Sequence, residues 1–416
     1  MAKFEKANSV GEWLDQRLNL TTFNKVMMTE YWIPKDINFL WAMGVLLATT
    51  FAILVISGLF LMMYYKPDIN LAFDSVNYTI MQEVAFGWLF RHMHGVAASV
   101  VFLIIYIHMF TGIYYGSYKQ GREMIWISGM LLFMTFSAAG FSGYMLPWGQ
   151  MSYWAAMVIT NLFGGVPVIG DALVVWIRGD FNVADATLTR FFMLHVFLLP
   201  ITIMGIIGLH FYTLRIPHVN NQNSDEFDFD VEAEKYLAGN KKESKVIPFW
   251  PIFISKDLAV LGVFLIFYFY LVFFHYEFAM DPVNFDPADN MVTPPHIYPE
   301  WYFLWSYEVL RGFFFDMFGF KAFDIGLIAF AFANAIFLVL PWLDRDPKIL
   351  PAHRRPAFFA WFWILMVDLI VLTVYGKLPP TGANAWVGFF AAVSFILLFV
   401  VLPIVTKIDA KKRGSL

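Results

Sequence analysis

The chain has 416 residues, 59% of them hydrophobic and only 14% charged, with a mean hydropathy of +0.62. Soluble proteins carry about a quarter charged residues, so the composition excludes an ordinary soluble enzyme and points to a polytopic membrane protein. The net charge of −4 names no partner and gives no ground for expecting a nucleic acid; the lack of cysteine excludes disulfides, thiolate-held iron–sulfur clusters, cysteine-built zinc sites and groups attached through C-x-x-C-H.

The first stretch, "MAKFEKANSVGEWLDQRLNL", has no apolar core and does not read as a cleavable signal peptide. Eight apolar segments follow, near 38–65, 84–115, 125–147, 188–214, 257–276, 324–343, 357–376 and 384–406. Each is long enough to cross a bilayer, which takes about 20 residues. Strand-type alternation is absent, and lipid leaves only helices or closed barrels able to satisfy their backbones. The expected fold is therefore an all-α integral membrane protein with eight transmembrane helices.

Lysine and arginine orient the bundle. With both termini and the connections near 116–124, 215–256 and 343–356 on one side, that side holds 21 of the 28 basic residues. Positive charge marks the cytoplasmic side, so both termini are expected there. The outer connections 148–187 and 277–323 are rich in Trp, Pro, Gly and Phe, and are expected to fold back onto the membrane surface. The inner connection is polar, with "DEFDFDVEAE" followed closely by "KKESK". It suggests a division into an N-terminal region 1–215, a solvated linker 216–250 and a C-terminal region 251–416.

Within the second apolar segment, His94 and His108 stand 14 residues apart. A helix turns ~100° and rises ~1.5 Å per residue, so the two rings share one face about 21 Å apart. His195 and His210, 15 apart in the fourth segment, repeat the arrangement on an antiparallel helix. His195 then stands level with His94, and His210 with His108. A single intramembrane histidine is more often a hydrogen-bonded core group or proton relay. Four in two matched transverse pairs instead suit the axial ligands of two bis-histidine haems. His92, two residues from His94, points elsewhere and is read as non-ligating. Gly44 and Gly58, and Gly129 and Gly143, repeat at the same 14-residue interval. Glycine there would let a flat ring approach the backbone, although close packing of small residues uses the same residue type.

These histidines and glycines, with "GYMLPWGQMSYW" at 143–154, "TLTRFFMLH" at 187–195, "KDL" at 256–258 and "PPHIYPEWYFLWSYEVLR" at 294–311, resemble cytochrome b of the respiratory quinol:cytochrome c oxidoreductase, the cytochrome bc complex. The resemblance covers nearly the whole chain. Eight helices in one polypeptide look like the respiratory form, since the photosynthetic relative is split in two.

The resemblance implies two non-covalent b-type haems in the first four helices, the outer on His94 and His195 and the inner on His108 and His210. It places quinol oxidation at Pro299, Glu300, Trp301 and Tyr302, with Glu300 as proton acceptor and Tyr307 as its hydrogen-bonding companion. A glutamate in an apolar pocket titrates high enough for that work. Lys256 and Asp257 would serve quinone reduction at the inner face, with Arg215 and His218 as weaker candidates. A charged helix start is the plainer reading of Lys256 and Asp257. Arg91 and Arg190 resemble the arginines that pair with outer-haem propionates; interfacial anchoring is the alternative.

Two departures stand out. The respiratory family more often spaces the fourth-helix histidines by 14, and 15 residues overshoot four turns by about 60°. Thr111 occupies the position where an arginine often follows the inner ligand of the second helix. The implied partners are a Rieske iron–sulfur protein, a membrane-anchored c-type cytochrome, quinone, the lipid bilayer and a second copy of the complex. A bacterial plasma membrane is preferred to a mitochondrial one. The competing readings are a secondary transporter, for which Asp368 in "WILMVDLIVL" would suit a proton relay, and a haem-carrying anchor for a dehydrogenase.

Overall fold

The computed structural model describes residues 7–278 and 280–415. Parts of the termini assigned to the cytoplasmic side, residues 1–6 and 416, lie outside the described residues. Eight helices among the described residues are long and apolar enough to span a membrane: α1 Phe39–Met62, α2 Gly87–Tyr114, α3 Glu123–Met145, α4 Asp185–Arg215, α5 Phe249–Phe274, α6 Ala322–Leu343, α7 Pro356–Lys377 and α8 Ala383–Lys412. They follow the eight apolar segments closely. The largest difference is at α5, which begins several residues early because Phe249–Phe253 forms a wide turn ahead of the regular helix. The spans carry no strong apolar stripe. That is expected where lipid covers one face and other helices the other, so packing and internal hydrogen bonds hold the bundle.

In the N-terminal half, α1 packs along α2 and α3 along α4. In the C-terminal half, the short helix Leu304–Arg311 lies against α6, α7 and α8. An aromatic core fills this half: Trp305, Phe337, Trp361, Phe395 and Phe399 are all buried. The halves are joined by specific bonds. Trp126 on α3 donates through Nε1 to the Phe337 carbonyl on α6 at 2.6 Å, and Trp301 donates to Ser99 on α2 at 2.7 Å.

A buried ionic cluster joins them again on the basic side. Asp344 accepts from Tyr118 at 2.6 Å and Arg355 at 2.7 Å, and pairs with Lys119 at 3.2 Å. Arg355 also pairs with Asp346 at 3.1 Å, and Asp346 with Arg413. Burial pushes the Asp344 carboxyl up, but Arg355 and Lys119 outweigh it and hold it below its usual value.

Neither long connection is featureless. The outer one carries helices Gln150–Leu162 and Gly170–Arg178. The inner one carries the helix Phe229–Leu237 and the strand β2, Val246–Pro248, which pairs antiparallel with β1, Trp32–Pro34. The segment read as a solvated linker is thus ordered at its end. Val246 is buried and Ile247 packs against Tyr31, Ile33 and Phe253, a contact its overall polarity conceals.

Candidate functional site

The two histidine pairs meet as the spacing requires. The His94 and His195 ring centroids lie 6.0 Å apart at 79°, and those of His108 and His210 lie 6.4 Å apart at 73°. Two metal–imidazole bonds of about 2.0–2.1 Å, with a ring half-width of about 1 Å on each side, give a separation of about 6 Å. Each ring separation therefore matches the spacing of two imidazoles that share one metal ion.

The 15-residue interval on α4 has a local cause. Leu194–Leu198, which includes His195, is a π-turn in which the Leu199 N–H bonds to the Leu194 carbonyl. Pro200 has no N–H to offer Val196, which favours the wide turn. Such a bulge absorbs one residue, so His195 and His210 share a face as a 14-residue pair would.

Two serines and one backbone carbonyl set the tautomers of three rings, and none of these groups was singled out from sequence. The Ser57 hydroxyl donates to Ile53 at 2.6 Å and stands 3.0 Å from His94 Nδ1. Its proton is already used, so the histidine nitrogen donates. The Ser128 hydroxyl donates to Ile125 at 3.0 Å and accepts likewise from His210 Nδ1 at 2.9 Å. His195 Nδ1 donates to the Ala139 carbonyl at 2.9 Å, with Ser142 at 3.5 Å. A proton on Nδ1 leaves Nε2 with a free lone pair, the form that binds a metal. The signal was present: each serine immediately precedes a glycine already marked, at 57–58, 128–129 and 142–143.

Those glycines lie under the rings. A methyl built on Gly58 would sit 3.2 Å from the His94 ring, one on Gly129 3.3 Å from His210, and one on Gly143 would overlap His195. At Gly44 such a methyl would meet no protein atom within 4 Å.

One cavity of about 300 Å³ is lined by Gly58, Arg91, His94, Gly143, His195 and Glu300 together. Tyr144, Asp281 and Tyr302 also line it. Burial, then the charge of Asp281, pushes the Glu300 carboxyl up to about 8. Trp301 and Tyr302 fix the segment behind Glu300: the Tyr302 ring stacks on Phe102 at 3.9 Å, and its carbonyl accepts from Tyr106. Pro299 precedes the extended residue Glu300, which enters the short helical turn Trp301–Phe303.

Two expected members lie elsewhere. The Tyr307 hydroxyl donates to the Ile297 carbonyl at 3.1 Å and makes no hydrogen bond to Glu300; Tyr144 is the tyrosine beside it. Seven residues after Glu300, Tyr307 is on the following helix and faces Arg311. Arg190 is exposed and donates to the Trp176 carbonyl, off the cavity wall. Of the two arginines only Arg91 faces the cavity; it donates to Asn77 at 3.3 Å. His92 stacks on Tyr276 at 3.5 Å, away from the pairs.

At the basic end, Arg215 lies 3.7 Å over the Tyr31 ring, and His218 stacks between Tyr31 and Phe229. Lys256 and Asp257 occupy the first turn of the regular part of α5. They make no hydrogen bond or ion pair with Arg215 or His218.

The fold and these side chains define a polytopic α-helical membrane protein whose second and fourth spans bring histidines together in two pairs at two levels. The family described as cytochrome b/b6/petB matches residues 28–217, and the cytochrome b C-terminal/b6/petD family matches residues 287–407. A cytochrome b of Allochromatium vinosum is 40% identical over 96% of each chain, and one of Rhodobacter capsulatus is 37% identical over 96% of this chain and 92% of that one. A solved structure titled hyperthermophilic respiratory complex III contains a chain 38% identical to this one, with a TM-score of 0.86 over 96% of this chain and 99% of that one.

The chain belongs to the cytochrome b/b6 family. It is a multi-pass protein of a bacterial inner membrane and an electron-transport component of a respiratory complex. The family carries haem.

Proposed function

We propose that this chain oxidises quinol near the outer face and serves quinone reduction at the inner face, with two bis-histidine haems between. The observation that carries the proposal is the cavity shared by Glu300 and the outer histidine pair. His94 and His195 would hold the outer haem, His108 and His210 the inner. When bound, each haem supplies a one-electron relay that no side chain offers. Gly58, Gly129 and Gly143 keep the backbone clear of the histidine rings, and Ser57, Ser128 and Ala139 lock three of them with Nε2 facing inward. Arg91 is placed for a carboxylate of the outer haem.

Quinol oxidation releases two protons with two electrons. Glu300 accepts one of those protons at its carboxylate, and the Tyr144 hydroxyl beside it orients the substrate. The other proton leaves with the electron taken by the Rieske partner, and the second electron would pass inward by way of the His94–His195 and His108–His210 pairs. Tyr302 and Phe102 form an apolar wall behind it. Lys256 and Asp257 stand where protons enter for quinone reduction on the basic side, which is the cytoplasmic side and holds both termini. Proton release outside and uptake inside would make the turnover proton-translocating. The chain contains no cysteine, so an iron–sulfur cluster must come from a Rieske partner. A membrane-anchored c-type cytochrome completes the chain of acceptors, and the complex works as a dimer. The division at the 216–250 segment separates the haem-holding region 1–215 from the region 251–416 carrying Glu300.

Neither competing reading calls for a carboxylate beside the outer pair. Asp368, the residue that suits a transporter, is buried on α7 with Ser394 beside it and does not line the cavity that holds Glu300. The test is optical. The purified protein should show two b-type haem signals, both reduced by quinol, and His94→Ala should remove one while the other persists. A colourless protein, or full absorbance in both His94→Ala and His195→Ala, would refute the proposal.

A further inference from the structure

A second polar cluster stands at the basic end of the α3–α4 pair. Arg215 closes α4 five residues beyond His210, and Arg122 precedes α3 seven residues before Gly129, which meets the His210 ring. At ~1.5 Å per residue, both arginines begin within about 11 Å of the inner histidine level. Neither takes part in an ion pair among the described residues.

Arg122 donates one bond, from Nη2 to the Pro217 carbonyl at 3.1 Å. Among the described residues its Nε, the Arg215 Nη1, the Tyr31 hydroxyl and the His218 Nδ1 are buried without a well-formed hydrogen bond, with Arg215 beside Tyr31 and the Trp32 backbone beside His218. Tyr31 touches Arg215 and stacks on His218 at 5.3 Å, so three of the four atoms belong to one contact group, and the charge of Arg122 acts on Tyr31 as well. Asp230, whose charge acts on His218, forms no ion pair with either arginine.

Buried cations and donors without partners are costly, so the cluster calls for an anion. Arginine recognises carboxylates through paired N–H groups. The β1–β2 ribbon covers the cluster from the solvent side: Phe249, which follows β2, donates to the Tyr31 carbonyl at 2.8 Å, and Ile33, Ile247 and Phe253 are buried around it. That cover disfavours a lipid phosphate entering from the membrane surface. A neutral quinone would leave the two positive charges unmatched.

We infer that Arg122 and Arg215, with Tyr31 and His218, form a cradle for the carboxylates of the inner haem. This rests on the proposed function. It also answers the sequence departure at Thr111: the cations come from the ends of α3 and α4 instead of from α2.

The test uses the intact complex carrying Arg122→Gln, Arg215→Gln or Arg215→Lys, with redox titration of both haems. Removing a cation disfavours the reduced haem. Each glutamine variant should shift the inner haem's reduction equilibrium about tenfold toward the oxidised form, about 59 mV for one electron. The outer haem should stay put, and Arg215→Lys should retain most of the wild-type value. Selective loss of the inner haem in a glutamine variant, with the outer retained, also supports the cradle. Two haems with unchanged midpoints would overturn it. So would variants whose only change is weaker retention of phosphatidylglycerol, or slower quinone reduction at unchanged midpoints. A wild-type protein with fewer than two haems would instead overturn the proposed function.

Discussion

Glu300→Gln isolates the proton acceptor. Burial and the Asp281 charge move the Glu300 carboxyl from 4.5 to about 8. At pH 7 roughly one carboxyl in eleven is then ionised, and at pH 9 roughly ten in eleven. A step that needs the ionised form should therefore quicken about tenfold between pH 7 and pH 9. Glutamine keeps the size and loses the titration, so the variant should be slow and flat across that range with its haem content unchanged. The same shift fixes the sign of a stability effect. The unfolded carboxyl ionises near 4.5 and the folded one near 8, so the folded protein binds more protons between those values. Stability is greatest below the lower value and declines as pH rises to the upper one. Glu300→Gln should remove that decline. Stopped-flow reduction of the outer haem by quinol, repeated across pH, measures the first effect. A tenfold rise that survives in the glutamine variant would refute the assignment.

Three further outcomes are expected. Gly143→Ala forces a methyl into the His195 ring and should shift or abolish the outer haem signal while the inner one persists, read from the absorption spectrum. Asp344→Asn strands Arg355 and Lys119 in the interior and should cost roughly 3–5 kcal/mol, read by thermal unfolding in detergent; because the Asp344 carboxyl is depressed, the wild type should lose this contribution as pH falls through its folded value. Asp257→Asn should slow reoxidation of the inner haem by quinone without loss of haem, and normal kinetics would move the inner quinone site elsewhere.

The spans were legible because about 20 apolar residues have few other uses, and the histidine register because a helix repeats so regularly. The overshoot on α4 was legible as a departure but not as a solution. Its answer depends on Pro200 and one wide turn, which periodicity averages away. The serines behind the rings were hidden for another reason. Serine in a transmembrane helix usually bonds back to its own backbone, as Ser57 also does at Ile53, so only its place beside each marked glycine pointed to a second partner. Tyr307 and Arg190 were misplaced because a motif gives order along the chain and not the direction of a side chain. Tyr144 lies far from Glu300 in sequence, and only folding brings both to one cavity.

The ties between the two halves carry a consequence for the covalent chain. Trp126 to Phe337, Trp301 to Ser99 and the Asp344–Arg355–Lys119 cluster fasten the halves at separate heights. None of them runs through the turn at Gly239–Lys242. The polypeptide is continuous there, but cohesion does not depend on that continuity. Nicked at this turn, or made as two fragments in one cell, the molecule should still come together as a single particle.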